Sequence, residues 1–269
     1  MIKRLVKLII AIVFHGFKKI MALFRESPMP GTCVVLMYHG VTPAQSKPFV
    51  RQMEKLLKLT TPVATDAIRD LEDGKRYAAV TFDDGFASTI DTVMPVLNQK
   101  AIPATFFIPT AYLGKEATWI SDDQKRMRVG HVLTAAQLKK LSEYGLAAIG
   151  SHGINHLRLT EMNDAEANKE IAVSKKIIED ITGKEALTHS FPFGSYDKRH
   201  VTMARKAGYS RVFTIDPKVS FGTQEEFVTG RVEVDPGDWS LEFTLKLIGS
   251  YRWHPYAVAL KKRLFNMLP

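Results

Sequence analysis

The sequence has one cysteine, no long apolar run and no flexible linker. The single cysteine, Cys33, excludes an internal disulfide and a cysteine-based zinc site. It lies inside the apolar run 33–38, so we expect it to pack in the core. No stretch rich in Gly, Pro or Ser divides the 269 residues, and we therefore predict one main domain, 31–250, with appended ends.

The N-terminal segment, 1–30, is apolar over too short a stretch to cross a bilayer. Its unbroken apolar run, 8–14, falls well short of the roughly 20 residues that a span needs. A signal peptide would explain the charged start, but no small-residue cleavage site follows. Arranged as a helix, the segment opposes a broad apolar face to a basic stripe of Arg4, Lys7, His15 and Lys18. Such a helix typically lies in the membrane interface; the alternative is a terminal helix docked on the protein's own surface.

The formal net charge is +9, and the distribution of the basic residues indicates the partner. They concentrate at the two ends, interleaved with large apolar residues, and no nucleic-acid motif lies between. The C-terminal segment, 251–269, repeats the amphipathic pattern around its basic run 261–263. We therefore predict an anionic membrane surface rather than nucleic acid as partner. We also predict a peripheral location at the inner membrane, with either side possible.

Between the two ends, short apolar strands alternate with amphipathic helices, as parallel βα units do. The pattern predicts strands at 34–38, 79–82, 105–108, 147–150, 190–193, 211–215 and 228–234. It predicts helices at 49–59, 88–99, 135–144, 165–181, 199–207 and 241–250. This is an α/β pattern, and about seven strands suit a barrel better than an open sheet.

Polar clusters follow four of the predicted strands, at 38–39, 83–84, 151–152 and 194–196. The loops after parallel strands converge on one face of a barrel, where active sites lie. We therefore expect these four clusters to meet in space.

The motif SHGINH places His152 and His156 four residues apart. On a helical turn this spacing puts both imidazoles on one face, close enough to bind one metal ion. The pair alone is weak support, because two His four apart often arise by chance. An Asp from another strand end would complete a two-His, one-carboxylate set with open positions. That set suits catalytic Zn²⁺ or another divalent ion such as Co²⁺ or Ni²⁺.

The motifs TFDDG at 81–85 and SHGINH at 151–156 resemble those of the polysaccharide deacetylases with a NodB-type domain. Supporting stretches are FPFGSYD at 191–197 and MYHGV at 37–41, and the resemblance covers about 34–239. It implies a distorted (β/α)7-type barrel, here with amphipathic helices at the N- and C-termini. It also implies hydrolysis of N- or O-acetyl groups on sugars.

The resemblance implies separate roles for the two adjacent carboxylates. Asp84 would bind the metal beside His152 and His156, and Asp83 would be the general base that takes a proton from the hydrolytic water. The cation would neutralise Asp84, which makes the adjacent carboxylates tolerable. The backbone N–H of Phe193 would donate to the tetrahedral oxyanion.

The general acid departs from the pattern of many family members, which use a His near the domain's end. Here that region offers only His254, outside the family's pattern. The opening Tyr38-His39-Gly40-Val41 resembles the exopolysaccharide-processing branch, so we predict His39 as general acid. The alternative is a His that satisfies a strand end, and His189 is a lesser candidate for the acid.

A second departure lies before Pro192, where many members carry an Arg that pairs with the base and this chain has Ser190. Arg231 would supply the charge from another strand, and we group it with the substrate-binding candidates.

The remaining substrate-binding candidates are aromatic: Tyr196, Trp119 and Trp239. Tyr196 and Trp119 would stack on sugar rings, although large aromatic side chains are more often core residues. Trp239 ends the stretch DPGDW at 235–239, which resembles a family motif near the groove. The alternative for this stretch is a turn, with Asp238 capping a helix and Trp239 packing.

Together these features predict a metal-dependent carbohydrate deacetylase held at a membrane surface. Its substrate would be an acetylated glycan of the cell surface or a lipid-linked saccharide precursor. Deformylation or O-deacetylation at the same site is a close alternative. A carbohydrate-binding barrel without turnover is another, and an electrostatic membrane or nucleic-acid adaptor would explain the charge but not the motifs.

Overall fold

The computed structural model describes residues 2–24, 29–67, 71–119, 131–220, 226–255 and 257. Its sheet has nine strands among these residues, and all of its ladders are parallel. They are β1 Thr32–Tyr38, β2 Thr61–Pro62, β3 Arg76–Phe82, β4 Ala104–Ile108, β5 Ala147–Ser151, β6 Thr188–Ser190, β7 Arg211–Phe213, β8 Val228–Thr229 and β9 Val232–Glu233. The spatial order is β8-β7-β6-β5-β4-β3-β1-β9, and β2 pairs with β3.

The two edge strands of this sheet, β8 and β9, are neighbours in the chain. Only Gly230 and Arg231 separate them, so the sheet must curl until its edges meet at this seam. The seam is crowded: a Cβ at Gly230 would lie 2.3 Å from the carbonyl oxygen of Asp216, and only glycine allows that approach. The predicted strand 228–234 is therefore two strands, each paired with a different edge. The architecture confirms the predicted distorted (β/α) barrel.

Seven α-helices surround the sheet in the described part of the chain. They are α1 Ile2–Leu23, α2 Ser46–Leu59, α3 Met94–Gln99, α4 Ala135–Glu143, α5 Asp164–Thr182, α6 Lys198–Lys206 and α7 Ser240–Leu247. Local capping explains the sharpest boundaries: the Asn163 side chain accepts the Glu166 N–H at the start of α5, and Gly183 ends it with a φ of 69°. The predicted helix 88–99 is instead a π-helix, Thr89–Val93, followed by α3. Pro95 in the first turn of α3 lacks the N–H that a continuous helix would need.

Side chains that alternate along the strands pack into two apolar layers, one on each face of the sheet. Leu36 and Tyr38 belong to the large cluster that packs under the helices, whereas Cys33 and Val35 line a smaller cluster with Phe107. Cys33 has no exposed surface, as predicted for a core residue.

Helix α1 packs on the outside of the domain through Leu8 and Ala11, and it contacts α7. No helix of the described residues is both long and apolar enough to cross a bilayer. The predicted C-terminal amphipathic segment, 251–269, lies for the most part outside the described residues.

Candidate active site

The polar residues at the ends of β3 and β5 converge, as the parallel arrangement predicts. The Nε2 atom of His156 lies 3.3 Å from Oδ1 of Asp84, and that of His152 lies 3.8 Å from the same oxygen. One ligand atom from each of the three residues lies within 4.8 Å of the others, and all three residues are buried.

Strained backbone shapes this cluster. Four non-glycine residues of the described chain have a φ in the left-handed region: Asp84, Ala101, His156 and Phe193, with φ of 69°, 52°, 53° and 56°. Three of the four are predicted site residues. Such conformations concentrate at functional sites, where the surrounding structure holds them in place. The positive φ of Asp84 breaks the alternation of side-chain directions along the strand. The two adjacent carboxylates can therefore serve the same site.

The ring of His152 is oriented by its second nitrogen. Its Nδ1 lies 2.8 Å from the carbonyl oxygen of Ser190, a contact in which Nδ1–H donates and leaves Nε2 as the acceptor facing Asp84. Burial, together with the charge of His156, lowers the pKa of His152 to about 4, against the opposing pull of Asp83 and Asp84. The imidazole is therefore neutral at pH 7, as a metal ligand must be.

The loop between the two imidazoles is not the helical turn that the spacing predicted. Residues 152–156 follow β5 as an irregular loop, because Gly153 has a φ of 77° and His156 a φ of 53°. The buried carboxylate of Glu170, on α5, holds this loop: its Oε2 accepts the N–H groups of Ile154 and Asn155, both at 2.8 Å. Its Oε1 accepts the Asn155 side-chain amide at 2.6 Å.

Sequence reasoning missed Glu170. A signal was present, since this carboxylate lies within the buried stripe of α5 that also contains Ala167, Ile171, Ser174 and Ile178. A buried acid in an apolar stripe needs specific partners, and here the partners are backbone N–H groups of the ligand loop.

The donor set fits a divalent metal ion. Two imidazole nitrogens and one carboxylate oxygen on three buried residues match a catalytic zinc site with an open position. The Nδ1 of His156 is buried without a hydrogen-bond partner in the described residues, so this ring is fixed by its neighbours and by whatever binds Nε2.

Asp83 is held by Arg231, which lies at the barrel seam. Nη1 and Nη2 of the arginine each lie 2.7 Å from one carboxylate oxygen of Asp83. The remaining donors reach Thr81 Oγ1 (3.1 Å), Ser190 Oγ (2.7 Å) and the Thr214 carbonyl oxygen (3.2 Å). All five N–H groups of the guanidinium therefore have an acceptor.

Arg231 has no exposed surface, which corrects its grouping with the substrate-binding residues. A buried side chain beneath Asp83 can orient that carboxylate but cannot contact a sugar. The guanidinium lies over the rings of Phe107 and Phe213, at 5.3 and 5.9 Å from their centroids. The Arg that the family pattern led us to seek beside Pro192 thus comes from the seam, and Ser190 provides one of its acceptors.

Both carboxylates are held in the ionised form. Burial favours the neutral form of Asp83, but the charges of Arg231 and then of His152 outweigh it and hold its pKa below the ordinary value. Burial opposes the charge of Asp84 too. The hydrogen bond from His156 and the charge of His39 outweigh it, so its pKa is also lowered.

His39, the predicted general acid, is half-buried on the loop after β1. Its charge acts on both Asp83 and Asp84, which places it beside the cluster. The lesser candidate His189 is fully buried, and burial lowers its pKa to about 3, so it is a poor proton donor to a substrate. His254 instead lies near Lys7 of α1.

Phe193 lies in a tight turn after β6, so the strand predicted at 190–193 is wrong in position and lies at Thr188–Ser190. The turn's backbone hydrogen bonds run from Gly194 N–H to the Phe191 oxygen and from Ser195 N–H to the Pro192 oxygen, each at 3.0 Å. Among the described residues they leave the Phe193 N–H without a backbone acceptor. The Phe193 ring packs edge-on against His156, with 4.6 Å between centroids.

The aromatic candidates for sugar contacts have different surroundings. Trp119 stacks on the ring of His156 at 4.1 Å between centroids, so it supports a cluster residue directly. Tyr196 is half-buried and stacks on Phe191 at 4.8 Å. Trp239 is 41% exposed and lies under the guanidinium of Arg4, 4.4 Å from its ring centroid, at the contact between α1 and α7.

The profile of the family described as polysaccharide deacetylase matches residues 70–212, more than half of the chain. The chain belongs to the polysaccharide deacetylase family. YxkH of Bacillus subtilis (strain 168), a protein named after the same family, is 27% identical over 223 residues, or 79% of this chain and 75% of that protein. The poly-beta-1,6-N-acetyl-D-glucosamine N-deacetylase of Staphylococcus aureus (strain MSSA476) is 23% identical over 166 residues, which span 59% of this chain and 54% of that protein.

Two solved structures share the fold of this chain. IcaB from Ammonifex degensii aligns with a TM-score of 0.67 at 21% identity, over 81% of this chain and 98% of that chain. The deacetylase PplD of Streptococcus pyogenes, solved in complex with acetate, aligns with a TM-score of 0.66 at 18% identity, over 81% and 99%. This polysaccharide deacetylase therefore has the barrel of its solved relatives.

Proposed function

We propose that this protein is a metal-dependent hydrolase that removes N-acetyl groups from amino sugars of a cell-surface polysaccharide or its lipid-linked precursor. The observation that carries the proposal is the pairing of Asp83 with Arg231 directly beside the cluster of Asp84, His152 and His156. An ionised, oriented base next to a two-His, one-carboxylate set is the arrangement that metal-assisted hydrolysis requires.

Asp84, His152 and His156 would hold the metal. Zn²⁺ suits their donor set best, and Co²⁺ or Ni²⁺ suits it as well. When bound, the ion supplies a Lewis acid that polarises the acetyl carbonyl and lowers the pKa of water.

The chain's own residues would handle the protons and the developing charge. Asp83 would accept a proton from the attacking water, while Arg231 keeps the carboxylate ionised and oriented. The Phe193 N–H would donate to the acetyl oxygen as negative charge develops there. His39 would protonate the leaving amine as the C–N bond breaks, so that acetate and a free amino sugar result.

The substrate class is supported by the names of relatives. The Staphylococcus aureus relative is named as an N-deacetylase of a polymer of N-acetylglucosamine. The chain matches only about half of that relative's length, so its substrate is carried over as a proposal.

The test is acetate release from N-acetylated β-1,6-glucosamine oligosaccharides by the full chain, stripped of metal and then given Zn²⁺. We expect release only with metal. Asp83→Asn should retain Zn²⁺ binding and lose release by at least about 10²-fold, as for removal of a general base. Asp91→Asn, at an exposed position beyond the motif, is the matched control and should match wild type.

Three results would redirect the proposal. Release from O-acetylated or N-formylated sugars alone would assign a different acyl group to the same site. Metal binding without turnover on any acylated sugar would assign a carbohydrate-binding barrel. A chain that binds no metal would contradict the assignment of the cluster.

A further inference from the structure

Helix α1 is oriented with its apolar side toward solvent. Eleven of its large apolar side chains are 37–81% exposed. Along the middle of this face lie Ile9, Val13, Phe17 and Ile20, at 59%, 66%, 60% and 56%. An amphipathic helix on a soluble domain normally buries this face against the core. Here only Leu8 and Ala11 of the helix are buried, and most of the large apolar side chains are exposed.

The side of α1 that packs on the domain combines Leu8 and Ala11 with the polar residues Arg4 and His15. Arg4 Nε donates to Glu242 Oε2 at 2.7 Å, and its guanidinium covers the ring of Trp239. Further along, His15 Nδ1 lies 3.3 Å from Ser250 Oγ. Arg4 and His15 belong to the predicted basic stripe, so the stripe lies on the side of the helix that meets the domain. The opposite face, along Ile9, Val13, Phe17 and Ile20, is exposed to solvent.

The contact at Arg4 is an ion-pair network. Asp238 Oδ2 accepts Lys246 Nζ at 2.7 Å, and its Oδ1 lies 3.5 Å from Arg4 Nη2. The side chains of Asp238 and Glu242 are only 6% and 7% exposed, which makes their charges poorly screened. The helix is therefore fixed on α7 rather than tethered beside it.

Basic residues border the exposed apolar face. At about 100° per residue, Lys3 and Lys7 lie on one side of the docked stripe and Lys19 lies on the other, and all three are exposed. Beneath the end of the helix, Lys18 lies near Arg76 and Arg252. Burial and then the repulsion from these two arginines lower the pKa of Lys18 to about 8. Among the described residues, Lys18, Arg76 and Arg252 form no ion pair.

An anionic membrane surface complements this arrangement. Apolar side chains at the level of the acyl boundary, with cations at the level of the headgroups, describe a helix that lies in the plane of the interface. A second copy of the helix would leave Lys3, Lys7 and Lys19 without partners, because residues 2–23 contain no acidic side chain to pair with them.

We propose that α1 is a fixed in-plane membrane anchor, which holds the barrel on an anionic bilayer by its outward apolar face. The lipid headgroups pair with Lys3, Lys7 and Lys19, which border this face, while Arg4 holds the helix on α7. This proposal does not depend on the proposed reaction. It would bring the site to lipid-linked or membrane-proximal glycans.

The test is flotation of the full chain with vesicles of phosphatidylglycerol and phosphatidylcholine, and with vesicles of phosphatidylcholine alone. We expect binding to the anionic vesicles that weakens at least about tenfold on the neutral ones. Val13→Asp/Phe17→Asp should reduce binding by about a hundredfold or more, since two apolar side chains that the bilayer would bury are replaced by charged ones. Leu57→Asp/Leu59→Asp, on exposed positions of α2, is the matched control and should bind as wild type does.

A charge variant separates the two parts of the proposal. Lys7→Gln/Lys19→Gln should lose the preference for anionic vesicles and keep the weaker binding to neutral ones. Acetate release from a soluble oligosaccharide, and the melting temperature, should be unchanged in every variant. A failure of catalysis would therefore be distinguished from a failure of anchoring.

Two outcomes would overturn the anchor. One is a Val13→Asp/Phe17→Asp variant that floats as wild type does. The other is a wild type that does not float. If light scattering then shows a dimer that is absent in this variant, the apolar face of α1 binds a second copy. If light scattering shows a monomer, the C-terminal residues 258–269 are the remaining candidate to cover this face.

Discussion

Arg231 and Asp83 form two hydrogen bonds of 2.7 Å across 148 residues of chain. The contact exists because the edges of the sheet meet at Gly230 and Arg231, which turns the arginine into the barrel and under the end of β3. In the family pattern, an Arg beside Pro192 pairs with the base. Here Arg231 makes this pair with Asp83 from the seam. Closure of the barrel and orientation of the base are therefore physically linked.

We predict that Arg231→Met destabilises the fold by about 3–5 kcal/mol, because it leaves the buried Asp83 carboxylate without its counter-charge. The measurement is urea unfolding of the single variants and of the double variant Asp83→Asn/Arg231→Met. The double variant should lose less stability than the sum of the two single losses, by about 1–3 kcal/mol.

Arg211→Met provides the control for this cycle. Arg211 is also buried in the sheet but bonds to Thr229 Oγ1, at 2.7 Å, rather than to Asp83. The stability lost in Arg211→Met should add to the stability lost in Asp83→Asn within about 0.5 kcal/mol. Additive losses for Arg231→Met as well would contradict the coupling between the seam and the base.

We predict that Glu170→Ala weakens Zn²⁺ binding by about 10- to 100-fold, as expected for a residue that orients a ligand loop. The carboxylate accepts two backbone N–H groups between His152 and His156, so its loss frees the loop. Competitive titration with a zinc chelator gives the affinity. Glu179→Ala is the matched control on the same helix, because Glu179 pairs with Lys175 instead. Equal affinities for the two variants would contradict the role of Glu170.

The metal cluster could be predicted because its information is local. Asp83 and Asp84 come directly after an apolar strand, and the His152–His156 spacing stands in the sequence regardless of fold, while the resemblance to the family distinguished Asp84 as the metal ligand. The conformation of that loop could not be predicted in the same way. A spacing of four fits a helical turn, but Gly153 and His156 adopt positive φ because Glu170, from another element, binds the loop.

The residues that contact the cluster depend on tertiary structure and were harder to predict from the sequence. Gly230 is a local signal of an interruption in the predicted strand 228–234, but the approach of Asp216 that requires a glycine there depends on the tertiary fold. Likewise, the amphipathic pattern of α1 defines two faces but not which face meets the domain. Acidic Asp238 and Glu242, more than 230 residues away, decide that orientation through Arg4.

We predict that His39→Gln lowers kcat by about 10²- to 10⁴-fold on an N-acetylated sugar, the usual contribution of a general acid. The same variant should lose far less activity on p-nitrophenyl acetate, because its leaving group departs without protonation. His131→Gln, at an exposed position, serves as the control. Equal losses on both substrates would assign His39 to positioning of the carboxylates instead of proton transfer.

His189 predicts how stability depends on pH. It is fully buried with Nδ1 3.1 Å from Ser151 Oγ, and burial lowers its pKa from 6.5 to about 3. Between these values the unfolded chain binds a proton at this side chain that the folded chain does not. Falling pH therefore favours unfolding over this window, by up to about 1.4 kcal/mol per pH unit from this group.

Urea unfolding at pH 7 and at steps down to pH 4 measures this contribution. His189→Gln should show a shallower loss of stability with acid than wild type, even if it is less stable at pH 7. Exposed His131→Gln should retain the wild-type slope. If His189→Gln retained it too, the folded protein would accept the proton at His189, and the acid sensitivity would have to arise elsewhere in the barrel.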